Sequence, residues 1–232
     1  MLSSASRDPP PSILLSSKPA VSFILGAVLL CYLVQSHYQH DVCLHALRVY
    51  SFAVIGLEIC FRILGVCVLT GGGGSSDSYL GGPSKGKTKK SSKVVDVFLI
   101  AVWSVLSIIL THIVTVLYGA YLIEYVEETF TFSILVAALS FIRPLIALGP
   151  SAIVIILERL NWEKESEVHC FAVLLGAWLG AIPIPLDWDT PWQVWPLTCS
   201  IGAVLGELGA CMYLLVKLWK EGDISRKKNK AT

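Results

Sequence analysis

A chain of 232 residues with 54% hydrophobic and only 15% charged side chains, and a mean hydropathy of +0.68, is too apolar for a soluble domain and belongs to the membrane class. Its net charge of +1 points to no charged partner, nucleic acid included; the information lies in how the charge is distributed. Seven cysteines without a C-x-x-C, all but Cys43 inside apolar runs, exclude a disulfide framework and read as small apolar fillers.

A helix needs about 20 apolar residues to cross a hydrocarbon core of about 30 Å. Six stretches reach or approach that length: 20–36, 46–70, 94–118, 129–149, 168–184 and 194–219. Only helices satisfy every backbone group in lipid for this pattern, so the expected fold is an all-α polytopic membrane protein with about six transmembrane helices. Residues 1–19 form an N-terminal tail, and 20–70 hold the first two helices. The first run ends in Val34-Gln35-Ser36-His37, which offers no small-residue cleavage site, so it reads as a retained span. Beyond it lie His37, His40, Asp41, Cys43 and His45. A helix through 37, 40 and 41 would put three donors on one face, a conceivable zinc arrangement, although interfacial histidines beside a span are the commoner use. The second span carries Glu58 and Arg62, spaced i, i+4 to neutralise one another.

Residues 71–93 form a linker of glycine, serine and lysine that cannot bury enough apolar surface to order itself. Within it G-G-P-S-K-G-K-T (Gly81 to Thr88) matches the phosphate-loop pattern, and Gly82-Pro83-Ser84-Lys85-Gly86 matches G-x-S-x-G. Neither has the strand before and helix after that its chemistry requires, so both are coincidences of a basic loop. Residues 94–219 hold four further helices. His112, Arg143 and Glu207 fall inside them without an evident sequence partner, and each must face the protein interior or water. Residues 151–160, after Gly149-Pro150, read as a short interfacial helix, and 220–232 as a basic tail.

Lys and Arg cluster in alternate connections. The N-tail has Arg7 and Lys18, the linker five lysines, the fourth connection Arg159 and Lys164, and the C-terminal end six basic residues. The first, third and fifth connections have none save Arg48. This places both termini in the cytoplasm.

The fifth and sixth spans carry Gly176-Ala177-Trp178-Leu179-Gly180 and Gly202-Ala203-Val204-Leu205-Gly206, two small-xxx-small stripes extended by Ala172 and Ala210. Such stripes let helix backbones approach closely, so these two helices read as a tight hairpin. Its turn is proline- and tryptophan-rich. Pro183, Pro185 and Pro191 stop and start helices, and Trp188, Trp192 and Trp195 suit the bilayer interface. Asp187 and Asp189 read as polar turn residues on the non-cytoplasmic side, with no third ligand or nucleophile close by.

The block G-A-W-L-G-A-I-P-I-P-L-D-W-D-T-P-W-Q-V-W-P-L-T-C-S-I-G-A-V-L-G, Gly176 to Gly206, resembles the signature of the phosphatidylinositol-glycan biosynthesis class F (PIG-F) family. Leu117-Tyr118-Gly119-Ala120 with Glu124, Glu128-Thr129-Phe130 and Gly149-Pro150 resemble it too, whereas Tyr121 stands where the family has proline. The resemblance implies an endoplasmic reticulum membrane protein of GPI-anchor assembly. It would be a non-catalytic partner that binds and stabilises the large membrane-bound ethanolamine-phosphate transferases, which move ethanolamine phosphate from phosphatidylethanolamine to GPI mannose. It carries over no catalytic residue, cofactor or metal. It does make the motif, with Gly176, Gly180, Gly202, Gly206 and the turn residues above, a candidate contact for the partner or for membrane lipid. Two rival readings remain at this point. One is a stand-alone headgroup transferase using Asp187, Asp189, Glu124, Glu127 and Glu128; the other is a transporter with Glu58, Arg62, Arg143 and Glu207 along a path.

Overall fold

The computed structural model describes residues 11–71, 93–120, 123–150, 152, 165–186, 188 and 190–230. Most of the linker 71–93, the expected interfacial helix 151–160 apart from Ala152, and Asp187 and Asp189 lie outside the described residues. Those that are described form helices α1 (Pro11–Gln35), α2 (His40–Gly71), α3 (Lys93–Leu117), α4 (Val126–Ala137), α5 (Arg143–Leu148), α6 (Glu165–Leu179) and α7 (Leu197–Lys230), with no strand among them. The first helix thus starts at Pro11, ahead of the expected span, and the last runs on to Lys230.

Five segments are long and apolar enough to cross a membrane: Ser17–Gln35, His40–Val66, Val95–Leu117, Val126–Leu148 and Leu197–Glu221. The expected fifth span, 168–184, is built differently. Helix α6 has 15 residues, about 22 Å of rise. Consecutive turns then carry the chain onward, with Ile182 N–H donating to Leu179 O (3.1 Å), Ile184 to Ala181 (3.2 Å) and Leu186 to Pro183 (3.1 Å). The change has a cause in Pro183 and Pro185. Each lacks a donor and forbids helical backbone to its predecessor, so the helix gives way to tighter turns that extend the segment toward the full hydrocarbon thickness.

Helices α4 and α5 are one rod joined by a π-helical turn, Ala138–Ile142. Pro144 cannot donate to residue 140, and its ring would press on that carbonyl. The π turn absorbs the misfit, with Arg143 N–H donating to Ala138 O. This rod is the centre of the bundle, and Leu135, Leu139 and Leu145 are fully enclosed. Around it α1, α2, α6 and α7 contribute Leu33, Leu47, Val173 and Val204. On its far side α3 docks through a polar stripe: Thr111 is buried and its hydroxyl donates to Ser133 O of α4 at 3.2 Å. The outer face of α3, with Val97, Phe98, Val105 and Leu110, remains bare, as expected of side chains that face lipid tails rather than water.

Between α1 and α2, His37 and Tyr38 take left-handed backbone conformations (φ 51 and 57). Tyr38 N–H reaches back to Leu33 O at 3.3 Å, and the helix ends there. His37 is therefore not on the helix that carries His40 and Asp41. The three-donor face imagined from the 37, 40, 41 spacing does not form. His40 instead lies with Nε2 3.8 Å from Glu128 of α4.

Candidate functional site

The glycine stripes meet one another. A Cβ added to Gly176 would run into the carbonyl oxygen of Gly202, one on Gly202 into that of Gly176, and one on Gly206 into that of Ala172. At Gly180 it would lie 2.5 Å from Thr198 O. Helices α6 and α7 thus touch backbone to backbone along four glycines, the arrangement expected from the stripes. Gly209 follows the same α7 stripe but has nothing within 4 Å of such a Cβ, so its side of the helix is open.

The turn closing this hairpin is braced by a residue that sequence reading passed over. Gln193 Nε2 donates to the carbonyl oxygens of Pro183, at 2.7 Å, and Leu186. A neutral amide with two N–H groups amid prolines is the signal that could have found it, since prolines leave carbonyls without helical partners. Pro191 opens the short 3-10 turn that presents Gln193. Trp188 and Trp192 stack edge to face at 5.9 Å. Trp195 packs edge-on against Phe132 at 5.4 Å and donates its indole N–H to Thr129 Oγ1 at 3.1 Å. The turn is thereby tied to the start of α4.

At the other end of the hairpin lies a buried ionic network. Arg143 Nη1 donates to Glu207 Oε1, Nη2 to Ser22 Oγ at 3.1 Å, and Nε stands 3.8 Å from Glu58 Oε2. Lys18 Nζ donates to Glu58 Oε1 at 2.5 Å. His169 Nδ1 sits 2.6 Å from Glu207 Oε2 and, as the proton-bearing tautomer assigned by that bond, donates to it. Glu207 is only 1% exposed, and Glu58 and Arg143 are buried as well. The two carboxylates balance the two cations, so a network drawn from α1, α2, α5, α6 and α7 is neutral as a whole. That is the condition under which charge survives in a dry bundle.

This corrects the expected Glu58–Arg62 pair. Glu58 turns inward to Lys18 and Arg143, while Arg62 is exposed and gives its guanidinium to the carbonyl of Ile146 on α5. A tertiary partner in a low-dielectric interior outcompetes a neighbour one turn away on the helix surface. His112 lies 3.3 Å from Ser133 Oγ and edge-on to Phe130. Arg143 and Glu207, without sequence partners, are each other's.

His169, Glu207 and Cys211 bring one nitrogen, oxygen and sulfur ligand atom to within 4.8 Å of one another, a donor set that a transition metal accepts by type. The guanidinium of Arg143 already holds that carboxylate, and a cation there would face a buried positive charge. The network is consequently structural in character. It lines neither the cavity of about 530 Å³ along the glycine stripe nor the one of about 650 Å³ between α3 and α6. The carboxylates proposed for catalysis are likewise not gathered into a site among the described residues: Glu127 is held by Arg48, Glu128 stands by His40, and Glu124 is exposed.

A family profile described as "GPI biosynthesis protein family Pig-F" matches residues 13–214. A protein of Mus musculus, "GPI ethanolamine phosphate transferase, stabilizing subunit", is 38% identical over 153 residues, covering 63% of this chain and 70% of that protein. The Homo sapiens protein of the same description is 35% identical over the same shares. "Glycosylphosphatidylinositol anchor biosynthesis protein 11" of Candida albicans is 36% identical over 122 residues, 45% of this chain and 42% of that one. No solved structure matches the chain.

Proposed function

The chain belongs to the GPI biosynthesis protein family Pig-F, and from that premise we infer that it is the non-catalytic membrane subunit that binds and stabilises a GPI ethanolamine-phosphate transferase. The family match over residues 13–214, with relatives described as the transferase's stabilizing subunit, carries this reading. The geometry agrees with it: Lys18, Glu58, Arg143 and Glu207 neutralise one another in the interior, and among the described residues no nucleophile with a base or free carboxylate pair is assembled. The protein works in the endoplasmic reticulum membrane with both termini in the cytoplasm, so the Trp188–Trp195 turn faces the lumen, where the transfer takes place. Its partner contact is the hairpin of α6 and α7, with the open side at Gly209 and the tryptophan turn as the surfaces offered.

Removing the chain from cells lowers the steady-state level of the transferase, read by immunoblot, and the purified chain alone transfers no ethanolamine phosphate. Asp187→Asn with Asp189→Asn leaves turnover by the assembled complex unchanged or weakens co-purification of the partner. Loss of turnover with assembly intact would instead make the chain an enzyme.

A further inference from the structure

The two limbs of the turn between α6 and α7 are joined by one side chain. Gln193 lies on the returning limb, at the end of the short turn that Pro191 opens, and its Nε2 donates to two carbonyls of the outgoing limb, Pro183 O at 2.7 Å and Leu186 O. Thr190 Oγ1 donates to its amide oxygen at 3.5 Å, and the Gln193 backbone N–H donates to Thr190 O at 3.0 Å. An amide suits this place because one planar group offers two N–H donors and an acceptor. A glutamate of the same size would turn acceptors toward two carbonyls.

Neither carbonyl depends on Gln193 alone. Pro183 O also accepts from the Leu186 N–H at 3.1 Å, and Leu186 O from the Trp188 N–H at 2.9 Å. Removing the amide therefore strands no backbone acceptor, and the helices keep their packing. What is lost is the link between the limbs. The Trp188 backbone bonds to the same carbonyl that Gln193 holds, and Trp192 is the residue before Gln193, so one amide sets the relation of two indoles stacked edge to face at 5.9 Å. Trp192 leans on the hydrophobic core, whereas Trp188 is 54% exposed. Ile182, Ile184 and Val194 of the same turn are exposed as well. Lipid adapts to a surface that moves, but a folded partner loses affinity for each side chain it must order on binding.

We propose, on the subunit reading above, that Gln193 is a positioning residue for the transferase contact. It holds Trp188 against Trp192 in the arrangement that the partner meets, so that the aromatic pair is ordered before binding rather than by it.

The test uses the full chain in detergent, as wild type, Gln193→Glu and Gln193→Met. Three quantities are read: hydrogen exchange of the turn amides by mass spectrometry, the unfolding temperature, and the affinity for the purified transferase by titration of the fluorescently labelled chain. Both variants are expected to exchange the amides of Ile184, Leu186, Trp188 and Gln193 faster and to unfold at the wild-type temperature. They bind the transferase about tenfold more weakly, the cost of ordering two side chains on association. A brace with no part in the contact would speed exchange and leave the affinity alone, and that result overturns the proposal. So does exchange that matches the wild type. If Gln193→Glu lowers the unfolding temperature, Gln193→Met, which brings no charge, decides. If both lower it, Gln193 holds the bundle rather than the contact, and the proposal fails. Failure of the wild-type chain to bind the transferase is a different result: it removes the subunit reading and the proposal with it.

Discussion

Glu207 accepts from Arg143, His169 and the Cys211 thiol at once, in the middle of a helix that passes through lipid. Neutralising it leaves Arg143 with Glu58 alone for two cations, so one buried positive charge goes uncompensated. Glu207→Gln is expected to destabilise the protein by about 3–5 kcal/mol, the usual cost of stranding half of a buried pair. Replacing Arg143 by Met and Glu207 by Leu together costs less than the sum of the single changes, because the double change leaves no stranded charge between them. Thermal unfolding in detergent, followed by size-exclusion fluorescence, measures both. Additive losses would mean that the two side chains are not coupled. Arg62→Met, at an exposed site with a single bond to a carbonyl, is expected to cost about 1 kcal/mol.

At the scale of elements, the hairpin depends on absent side chains. Gly206 and Gly209 lie three residues apart on α7, yet a methyl group at the first meets the Ala172 carbonyl and at the second meets nothing. Gly206→Ala is thus expected to push α6 from α7 and lower the unfolding temperature. Gly209→Ala leaves the isolated chain as stable or raises it by about 0.5–1 kcal/mol, from the entropy a helical glycine loses on folding. If Gly209→Ala nonetheless weakens co-purification of the transferase, its open side is a partner surface. The joint between α4 and α5 follows the same logic: a proline placed at 144 calls for a π turn, and the turn sets Arg143 at the place where three other helices, α1, α2 and α7, supply its partners.

For the molecule as a whole, apolar side chains lie both inside and out, and the charged ones are either paired in the centre or gathered at the ends. Trp195 bonds Thr129 at one end of the central rod, and His169 joins Arg143 through Glu207 at the other. Fourteen residues of rod separate those two levels, about 21 Å, so α6 with its turns runs most of the way through the bundle despite its short helix. Counted as a crossing, it makes six with the five long apolar segments, the arrangement proposed above, and that arrangement puts both termini on one side. A reporter at the C-terminus is expected in the cytosol and one between Leu186 and Pro191 in the lumen, as read by protease protection and glycosylation. Both tags on one side would contradict the crossing of α6.

Composition and spacing alone determined the membrane class, the helical fold, the glycine hairpin and the family block, because hydropathy, the 3.6-residue period and small residues four apart are local properties written along the chain. Positions 58 and 62 show where that ends. Their i, i+4 spacing allowed a pair, and the folded protein made none, since Lys18 and Arg143 arrive at Glu58 from helices 40 and 85 residues away and a dry interior rewards the deeper contact. The Arg143–Glu207 pair, the Gln193 brace and the cavity between α3 and α6 are likewise products of helices meeting. Which charges neutralise which, and where space is left over, depended on distances in three dimensions that no local pattern encodes.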